Sequence, residues 1–347
     1  METPGPGIFL LGSTHRTAPL AMRERLAVPP ERLEAIYTLL REKLSLTECL
    51  VLNTCNRVEL YGVAKNSAEA AALRARLLEE ISRLHQLEPD EVEPYTFFKQ
   101  HADVVQHVFH VAAGLDSQML GETEIFGQVK DSYSDAAQRG AAGPVLNRVF
   151  QKSFQAAKWA RTHTAIGRGA VSIGSVSVEL ATRMFGGLAH SRVLLIGAGE
   201  AGQSVLQSLR TRGARDVTIA SRTLAHAVEV AMKFECVAVE LNRVPDLLAQ
   251  ADIVLCALNA EAPVITRAQL TEATGQRAGV PLFLIDLAVP RNVEPAAAGL
   301  ANVFLYNLDD LAAIANENLK NRQAAVDACR STLAEKAQQV WESLGAR

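Results

Sequence analysis

Aromatic residues, cysteine motifs and long apolar runs are all scarce in this chain of 347 residues. Aromatics make up 5% of the sequence, so Ala, Val and Leu must form the cores, as in helix-rich α/β proteins. No apolar run approaches the ~18 residues of a membrane span, and no N-terminal signal segment is evident, so a cytoplasmic protein is expected. The five cysteines form no C-x-x-C pair, which indicates neither a disulfide framework nor a zinc or other metal site.

The charge balance is nearly neutral, with a net charge of -3 and a pI near 6.3. This balance excludes a polybasic protein that coats nucleic acid or membranes, although it leaves room for a local basic surface. One such surface is indicated between Asp135 and Glu179, where no acidic residue occurs. Its basic residues are Arg139, Arg148, Lys152, Lys158, Arg161 and Arg168. On helices they would form a stripe suited to phosphate backbones, and a solvated face with acidic partners elsewhere is an equal alternative.

The first part of the chain alternates strand-like apolar runs with helical ones. Strands are predicted at residues 8–12, 49–53, 58–63 and 94–98, and helices at 30–44 and 68–85. This β-α-β-β-α-β order is typical of a ferredoxin-like α+β domain, which we assign to residues 1–165. It places residues 54–57 at the tip of the central hairpin, where a side chain is exposed while its backbone is held.

A different fold follows, which we assign to residues 166–307. Strands are predicted at residues 192–196, 216–220, 237–241, 252–257, 281–286 and 302–306. Six such runs, mostly with helical connections, indicate an α/β domain with a doubly wound parallel sheet. The last part, residues 308–347, is predicted to be a long C-terminal helix over 308–344 that packs against another domain or another chain.

A G-x-G-x-x-G motif follows the first strand of this second domain and opens a helix. Its six residues are Gly197, Ala198, Gly199, Glu200, Ala201 and Gly202. Glycines at these places permit a tight turn and the close approach of a pyrophosphate, while the helix N-terminus favours negative charge. The motif therefore predicts a dinucleotide site, and the alternative is a glycine-rich turn without a ligand.

The end of the next strand distinguishes the two nicotinamide cofactors. An NAD site usually carries Asp or Glu there to bind the ribose 2′-hydroxyl, whereas this chain has Ser221, Arg222 and Thr223. An arginine and two hydroxyls suit a 2′-phosphate, so we predict NADPH rather than NADH. The alternative is that Arg222 is a solvated loop residue.

Cys55 is the one cysteine in a polar loop, between Asn53 and Arg57. A lone cysteine is more often a small buried core residue than a nucleophile. Arg57, however, would lower the pKa of the thiol and raise its reactivity. With a hydride donor bound by the same chain, a nucleophilic thiol indicates a thioester that is reduced to an aldehyde, or the reverse reaction.

Three histidines, His101, His107 and His110, lie on one predicted helix. His107 and His110 are three residues apart and share a face, but without a Cys or carboxylate partner they make a poor metal site. Taken alone, each is better interpreted as an ordinary surface or core histidine.

Eight segments resemble, in the same order, the motifs of glutamyl-tRNA reductases. They are residues 12–19 (GSTHRTAP), 53–61 (NTCNRVELY), 114–117 (GLDS), 121–130 (GETEIFGQVK), 150–154 (FQKSF), 197–202 (GAGEAG), 221–223 (SRT) and 286–291 (DLAVPR). The resemblance covers the chain from Ile8 to about Trp341. Eight ordered blocks are far more specific than any one of them.

The resemblance implies an enzyme that uses NADPH to reduce the glutamyl ester of a charged tRNA to glutamate-1-semialdehyde, for tetrapyrrole (porphyrin) synthesis. Cys55 matches the nucleophile that forms the thioester and releases tRNA. His107 matches a histidine that polarises the carbonyl or aids proton transfer. The positions that match the substrate pocket are Thr54, Asn56, Arg57, Ser117, Glu122, Thr123, Glu124 and Gln128.

The resemblance also implies partners. An unstable aldehyde product suggests direct transfer to a glutamate-1-semialdehyde aminomutase, and the family forms homodimers. Two departures bear on these expectations. Many members have Gln where this chain has Glu124, and most continue into a dimerisation domain where this sequence stops at Arg347. A homodimer is therefore expected with a dimerisation part that is short for the family.

Two other functions remain as alternatives. One is a catalytically inactive regulator that binds NADPH and tRNA, although it would have no need to keep Cys55, Arg57, His107 and Ser117 together. The other is an ordinary alcohol or shikimate-type dehydrogenase, which would use a lysine–aspartate pair and would need no thiol.

Overall fold

The structure is a computed structural model that describes residues 6–122, 124–164, 172–317 and 323–345. Its contacts divide the chain into two compact units. Unit 1 comprises Met1–Ala170 with Asn318–Arg347, and unit 2 comprises Val171–Glu317. In the described part of the chain, every helix is either too short or too polar to cross a membrane. The division into three functional parts, residues 1–165, 166–307 and 308–347, stays a prediction. Its first boundary, at 165–166, lies outside the described residues.

The elements follow in chain order. The strands are β1 (Gly7–Thr14), β2 (Glu48–Asn53), β3 (Arg57–Ala64), β4 (Phe97–Gln100), β5 (Arg192–Ile196), β6 (Asp216–Ser221), β7 (Val237–Glu240), β8 (Ile253–Cys256), β9 (Leu282–Asp286) and β10 (Val303–Asn307). The helices are α1 (Leu20–Leu26), α2 (Pro30–Thr38), α3 (Ser67–Leu84), α4 (Pro89–Val92), α5 (Ala102–Ala112), α6 (Glu124–Gln138), α7 (Pro144–His163), α8 (Ile173–Phe185), α9 (Glu200–Thr211), α10 (Leu224–Phe234), α11 (Val244–Leu248), α12 (Arg267–Gly275), α13 (Leu308–Glu317) and α14 (Gln323–Gly345). A π-helical turn (Leu39–Lys43) extends α2, and 3-10 turns occur at Glu93–Tyr95, Leu241–Arg243 and Pro295–Gly299.

Unit 1 contains an antiparallel sheet with the strand order β2-β3-β1-β4. This order confirms the predicted ferredoxin-like domain. The central strand β1 is buried along its whole length because its sequence, GIFLLGST, is apolar or small throughout. The predicted start of the last strand at residue 94 is wrong, because Glu93–Tyr95 form a 3-10 turn and β4 begins only at Phe97. The short helix α1 was not predicted, since seven residues carry little helical period.

Helix α14 belongs to the core of unit 1, where it packs against α5 and α7. Its buried residues recur every three or four positions and form one apolar stripe. They are Val326, Cys329, Leu333, Ala337 and Val340. The predicted tail helix over 308–344 is described as α13 and α14, and residues 318–322 between them lie outside the described part.

Unit 2 contains a parallel sheet with the strand order β10-β9-β8-β5-β6-β7. The chain starts at β5, builds outward through β6 and β7, and then returns to β8 on the other side. This confirms the predicted doubly wound sheet and places a reversal of strand order between β5 and β8. Ligands of such sheets bind at the carboxyl ends of the strands beside that reversal.

Candidate active site and dinucleotide site

The loop that joins β2 to β3 carries Cys55 and is closed by its own hydrogen bonds. The backbone N–H of Thr54 donates to the carbonyl oxygen of Arg57 at 2.8 Å. The hydroxyl oxygen of Thr54 accepts from the backbone N–H groups of Asn56 and Arg57, each at 3.2 Å. A threonine suits this place because its hydroxyl can accept from the backbone two or three residues on. The structure thus holds the backbone of the hairpin tip, as the sequence predicts.

Helix α1 supplies a second clamp on this loop through Arg23, which is almost fully buried. Its guanidinium donates to the carbonyl oxygen of Cys55 at 3.2 Å and to the side-chain oxygen of Asn56 at 2.8 Å. Sequence reasoning gave Arg23 no role. The sequence does hold a hint, because Arg23 lies on the same face of α1 as the apolar residue Leu20 and is buried with it.

Cys55 is half-buried, and its thiol is protonated at neutral pH. Burial raises the pKa of Cys55 to about 12, and the charges of Glu122 and Glu124 raise it further than Arg23 can offset. The expectation that Arg57 lowers this pKa is therefore wrong, since the guanidinium of Arg57 is paired elsewhere. Nucleophilic attack by Cys55 requires that its proton be removed during the reaction or that the nearby acidic charge be neutralised.

Glu122 is a second titratable group beside the thiol. Burial and the charge of Glu124 raise the pKa of Glu122 to about 7. Glu124 begins α6, and Gln128 lies one helical turn beyond it on the same face. Of the predicted pocket residues, Thr123 lies outside the described part of the chain, so the structure does not test its position.

The strand β3 carries a fully buried carboxylate, Glu59, that three donors surround. Arg57 reaches one of its oxygens at 2.6 Å, and Nε2 of His107 contacts the same oxygen at 2.8 Å. Tyr61 donates to the other oxygen. Burial alone would raise the pKa of Glu59, but the charges of His107 and Arg57 and these hydrogen bonds hold it at about 2. The carboxylate is thus ionised, and it orients both the arginine and the histidine.

Arg57 also contacts the segment that precedes Ser117. Its second terminal nitrogen donates to the carbonyl oxygen of Asp116 at 2.6 Å and to the Asp116 carboxylate at 3.2 Å. The same carboxylate pairs with the half-exposed Arg16 at 3.1 Å. The structure therefore brings Arg57 next to Ser117, as expected for the pocket, but it buries the guanidinium between two acidic side chains. The roles of Glu59 and Asp116 are not evident from the sequence, because Glu59 meets His107 and Asp116 meets Arg57 only in the folded chain, across 48 and 59 residues.

A polar cavity of about 320 Å³ opens beside this network in unit 1. It is lined by Thr14, Arg16, Thr17, Phe97, Lys99, Asp103, Gln106, His107, His110 and Asp116. His107 and His110 face the same cavity, as their spacing on α5 predicts. Arg16 and Lys99 give it two cations that a carboxylate-bearing substrate could meet. The volume falls within the range of small-molecule sites, about 300–1,000 Å³.

In unit 2, the glycine motif forms the turn between β5 and α9. Gly197 has a φ of +110°, and a Cβ there would lie 2.5 Å from the carbonyl oxygen of Ala257. A Cβ at Gly202 would lie 2.1 Å from the carbonyl oxygen of Gly197. A Cβ at Gly199, by contrast, would point into open space at the N-terminus of α9. That open space beside a helix N-terminus fits a pyrophosphate.

The end of β6 fits the 2′-phosphate of NADPH. Ser221 is buried there, and the exposed Arg222 donates to the carbonyl oxygen of Asn259 at 2.7 Å. No carboxylate occurs among residues 221–223 to bind a 2′-hydroxyl. The first helical turn of α10 adds His226, whose Nε2 lies 3.2 Å from the carbonyl oxygen of Ala198 in the glycine turn. The residues of unit 2 therefore fit a phosphorylated dinucleotide.

Comparison with known proteins gives matches along nearly the whole chain. Residues 11–164 match the family model "Glutamyl-tRNAGlu reductase, N-terminal domain", and residues 179–314 match "Shikimate / quinate 5-dehydrogenase". Glutamyl-tRNA reductases from Syntrophus aciditrophicus and Pseudomonas aeruginosa are each 41% identical over 319 residues, which are 91% and 92% of this chain and 74% of each relative. The enzyme from Marinobacter nauticus is 36% identical over 98% of this chain and 78% of its own length. The solved glutamyl-tRNA reductase from Methanopyrus kandleri is 35% identical with a TM-score of 0.53, covering 99% of this chain and 81% of that one.

Proposed function

The chain belongs to the glutamyl-tRNA reductase family, and from that membership we propose that it reduces glutamyl-tRNA to glutamate-1-semialdehyde with NADPH and releases free tRNA. The product serves tetrapyrrole synthesis. The observation that best supports this reaction in the molecule itself is the clamped loop of Cys55 in unit 1. Arg57, at the end of this loop, shares the buried carboxylate of Glu59 with His107, so one hydrogen-bond network holds both the loop and the histidine. No feature of the site favours an inactive regulator.

The first step is the transfer of the glutamyl group to Cys55. The sulfur attacks the ester carbonyl, a C–S bond forms, and the C–O bond to the terminal ribose of tRNA breaks. The proton of the thiol ends on the ribose oxygen that leaves. Because the pKa of Cys55 is raised to about 12, a nearby base must take this proton during the attack.

His107 is suited to move that proton. Glu59 is ionised and can only accept a hydrogen bond, so Nε2 of His107 carries a hydrogen that it donates to Glu59. Nδ1 is then the imidazole nitrogen that carries the free lone pair. Glu122, whose pKa is raised to about 7, is a second group that can change protonation near neutral pH. Arg57, Thr54 and Ser117 would position the glutamyl group.

The second step is the reduction of the thioester. When bound, NADPH supplies the hydride that converts the thioester carbonyl into the aldehyde, and the sulfur leaves as the thiolate. Gly197, Gly199 and the N-terminus of α9 would hold the pyrophosphate. Ser221, Arg222 and Thr223 would hold the 2′-phosphate.

The proposal includes three finer points about the setting. The protein acts in the cytoplasm as a homodimer, and it passes its unstable aldehyde to a glutamate-1-semialdehyde aminomutase. Sedimentation at several concentrations tests the dimer, and co-purification with the aminomutase tests the transfer.

The decisive experiment compares the wild type with Cys55→Ser on glutamyl-tRNA, with and without NADPH, while trapping the aldehyde. Wild type should form aldehyde only with NADPH, and it should release free glutamate without NADPH because the thioester then meets water. Cys55→Ser should do neither. The matched control is Cys236→Ser in unit 2, at another partly exposed cysteine, which should keep full activity. Absence of aldehyde from wild type that binds NADPH would contradict the reductase function.

A further inference from the structure

A second cavity of unit 1, about 330 Å³ in volume, lies among α5, α7 and α14. It is lined by Phe109, Arg148, Lys152, Gln155, Ala156, Trp159, Lys336, Gln339, Val340 and Ser343. Three of these side chains are cationic and none is acidic. We call this cavity the cationic pocket.

The three cations of the cationic pocket have only neutral partners. Nε of Arg148 donates to the hydroxyl of Ser343 at 3.0 Å, and Nζ of Lys152 donates to the side-chain oxygen of Gln155 at 3.1 Å. The ammonium of Lys336 lies over the ring of Trp159, 5.1 Å from its centre. Within the part of the chain that the structure describes, none of the three forms an ion pair.

Other basic residues of the same unit are neutralised. Arg139, which precedes α7, pairs with both Asp135 and Glu34. Arg57 is likewise buried between two carboxylates. Three cations gathered on one cavity without a counter-charge repel one another, and the binding of an anion would relieve that repulsion. The cationic pocket therefore has the electrostatics of an anion site.

The position of the cationic pocket favours a large anion over a small one. Helix α5 contributes His107 to the polar cavity beside the Glu59 network and Phe109 to the cationic pocket. The two cavities thus lie on different faces of one helix, which is about 10 Å across with its side chains. A polyanion whose reactive end enters the first cavity could reach the second with its backbone. Arg148 and Lys152 of the predicted basic stripe both line the cationic pocket, and α7 carries no acidic residue.

We propose that the cationic pocket binds phosphodiester groups of the tRNA while its glutamyl end reaches Cys55 and His107. This inference rests on the proposed reductase function. Lysine and arginine are the usual partners of nucleic-acid phosphates, and such contacts set affinity and register rather than sequence choice. In a protein with a net charge of -3, tRNA binding depends on such a local concentration of cations.

The test is the charge reversal Lys152→Glu, with Lys158→Glu as its matched control. Both lysines are exposed on α7, so both substitutions should preserve the fold and both change the net charge equally. Only Lys152 lines the cationic pocket. The measurements are the Kd for a tRNA-Glu transcript at several salt concentrations, and KM and kcat for glutamyl-tRNA.

Lys152→Glu should raise Kd and KM about tenfold and lower the salt slope of binding by about 1, with kcat unchanged. Lys158→Glu should change Kd and KM far less. Equal effects of the two variants would show a diffuse electrostatic attraction, and unchanged tRNA affinity in Lys152→Glu would show no contact. Either result overturns the proposal.

Inorganic pyrophosphate serves as the probe for a small ligand. If wild type binds it tightly and Lys152→Glu loses that binding without any change in tRNA affinity, the pocket serves a free phosphate compound and the assignment to tRNA is overturned. The binding arm is independent of catalysis. If wild type is inactive but its tRNA binding depends on Lys152, the cationic pocket is supported and the reductase function is contradicted. If the enzyme is active but Lys152→Glu and Lys158→Glu bind tRNA equally well, only the role of the pocket is contradicted.

Discussion

The two candidate sites of this protein differ in the groups that form them, which are side chains in unit 1 and mainly backbone in unit 2. The site in unit 1 consists of ionisable side chains, because Arg57, Glu59 and His107 are buried together and hydrogen-bond to one another through Glu59. The site in unit 2 consists mainly of backbone in the glycine turn. The missing side chain of Gly199 leaves open space there, and the backbone packs closely at Gly202. The first site should therefore respond to changes of charge and pH, and the second to added volume.

The largest expected effect is that of Glu59→Gln, which removes the charge shared by Arg57 and His107. Breaking a buried ion pair on one side leaves an uncompensated charge, so the free energy of unfolding should fall by about 3–5 kcal/mol. Denaturant unfolding measures this loss, and Glu91→Gln is the control, because Glu91 pairs with Arg25 at the surface and its loss should change nothing measurable. A variant Glu59→Gln as stable as wild type would contradict the buried network.

Glu59→Gln should also change how the free energy of unfolding depends on pH. The folded-state pKa of Glu59 is about 2, below its ordinary value of 4.5, so its contribution to stability is present above pH 4.5 and is lost as the pH falls toward 2. Glu59→Gln should lose less stability than wild type over that acid range.

A smaller effect is expected from added volume in unit 2. Gly202→Ala places a methyl group 2.1 Å from the carbonyl oxygen of Gly197, and such overpacking should cost about 1–3 kcal/mol of stability and weaken NADPH binding. Gly199→Ala is the matched control, since its methyl group points into open space and should leave thermal unfolding unchanged. Thermal unfolding distinguishes the two variants, and NADPH titration by fluorescence measures the loss of binding in Gly202→Ala. Equal stability losses would contradict the packing described for the turn.

The smallest effect concerns the reactivity of the thiol. Glu124→Gln removes a charge that raises the pKa of Cys55, so more thiolate should be present at a given pH and alkylation by iodoacetamide should accelerate about two- to tenfold. The rate should still rise with pH above 9, because burial dominates the shift. Glu79→Gln, at an exposed position of α3, is the control. An unchanged or slower rate in Glu124→Gln would show that Glu124 does not act on the thiol.

The sequence predicted the dinucleotide site more fully than the active site. Gly197 and Gly202 act through the turn itself and the end of the neighbouring strand, and residues 221–223 lie at the end of β6, so short motifs are enough to reveal them. In the active site, the motif around Cys55 revealed the loop but misjudged the effect of Arg57 on the thiol. That effect depends on Glu59 and Asp116, which neutralise the guanidinium.

The sequence by itself determined the order of the strands and of the long helices, the loop that carries Cys55, the glycine turn and the stretch of α7 without acidic residues. Each of these depends on period or spacing along the chain. Only the tertiary structure decided which polar side chains meet: His107 and Glu59 are 48 residues apart, and Arg23 and Asn56 are 33 apart. The same holds for Lys336 of α14, which joins Lys152 of α7 in one cavity. Folding sets the distances between these groups and how deeply they are buried. Those two quantities determine which groups hold protons and which attract a phosphate.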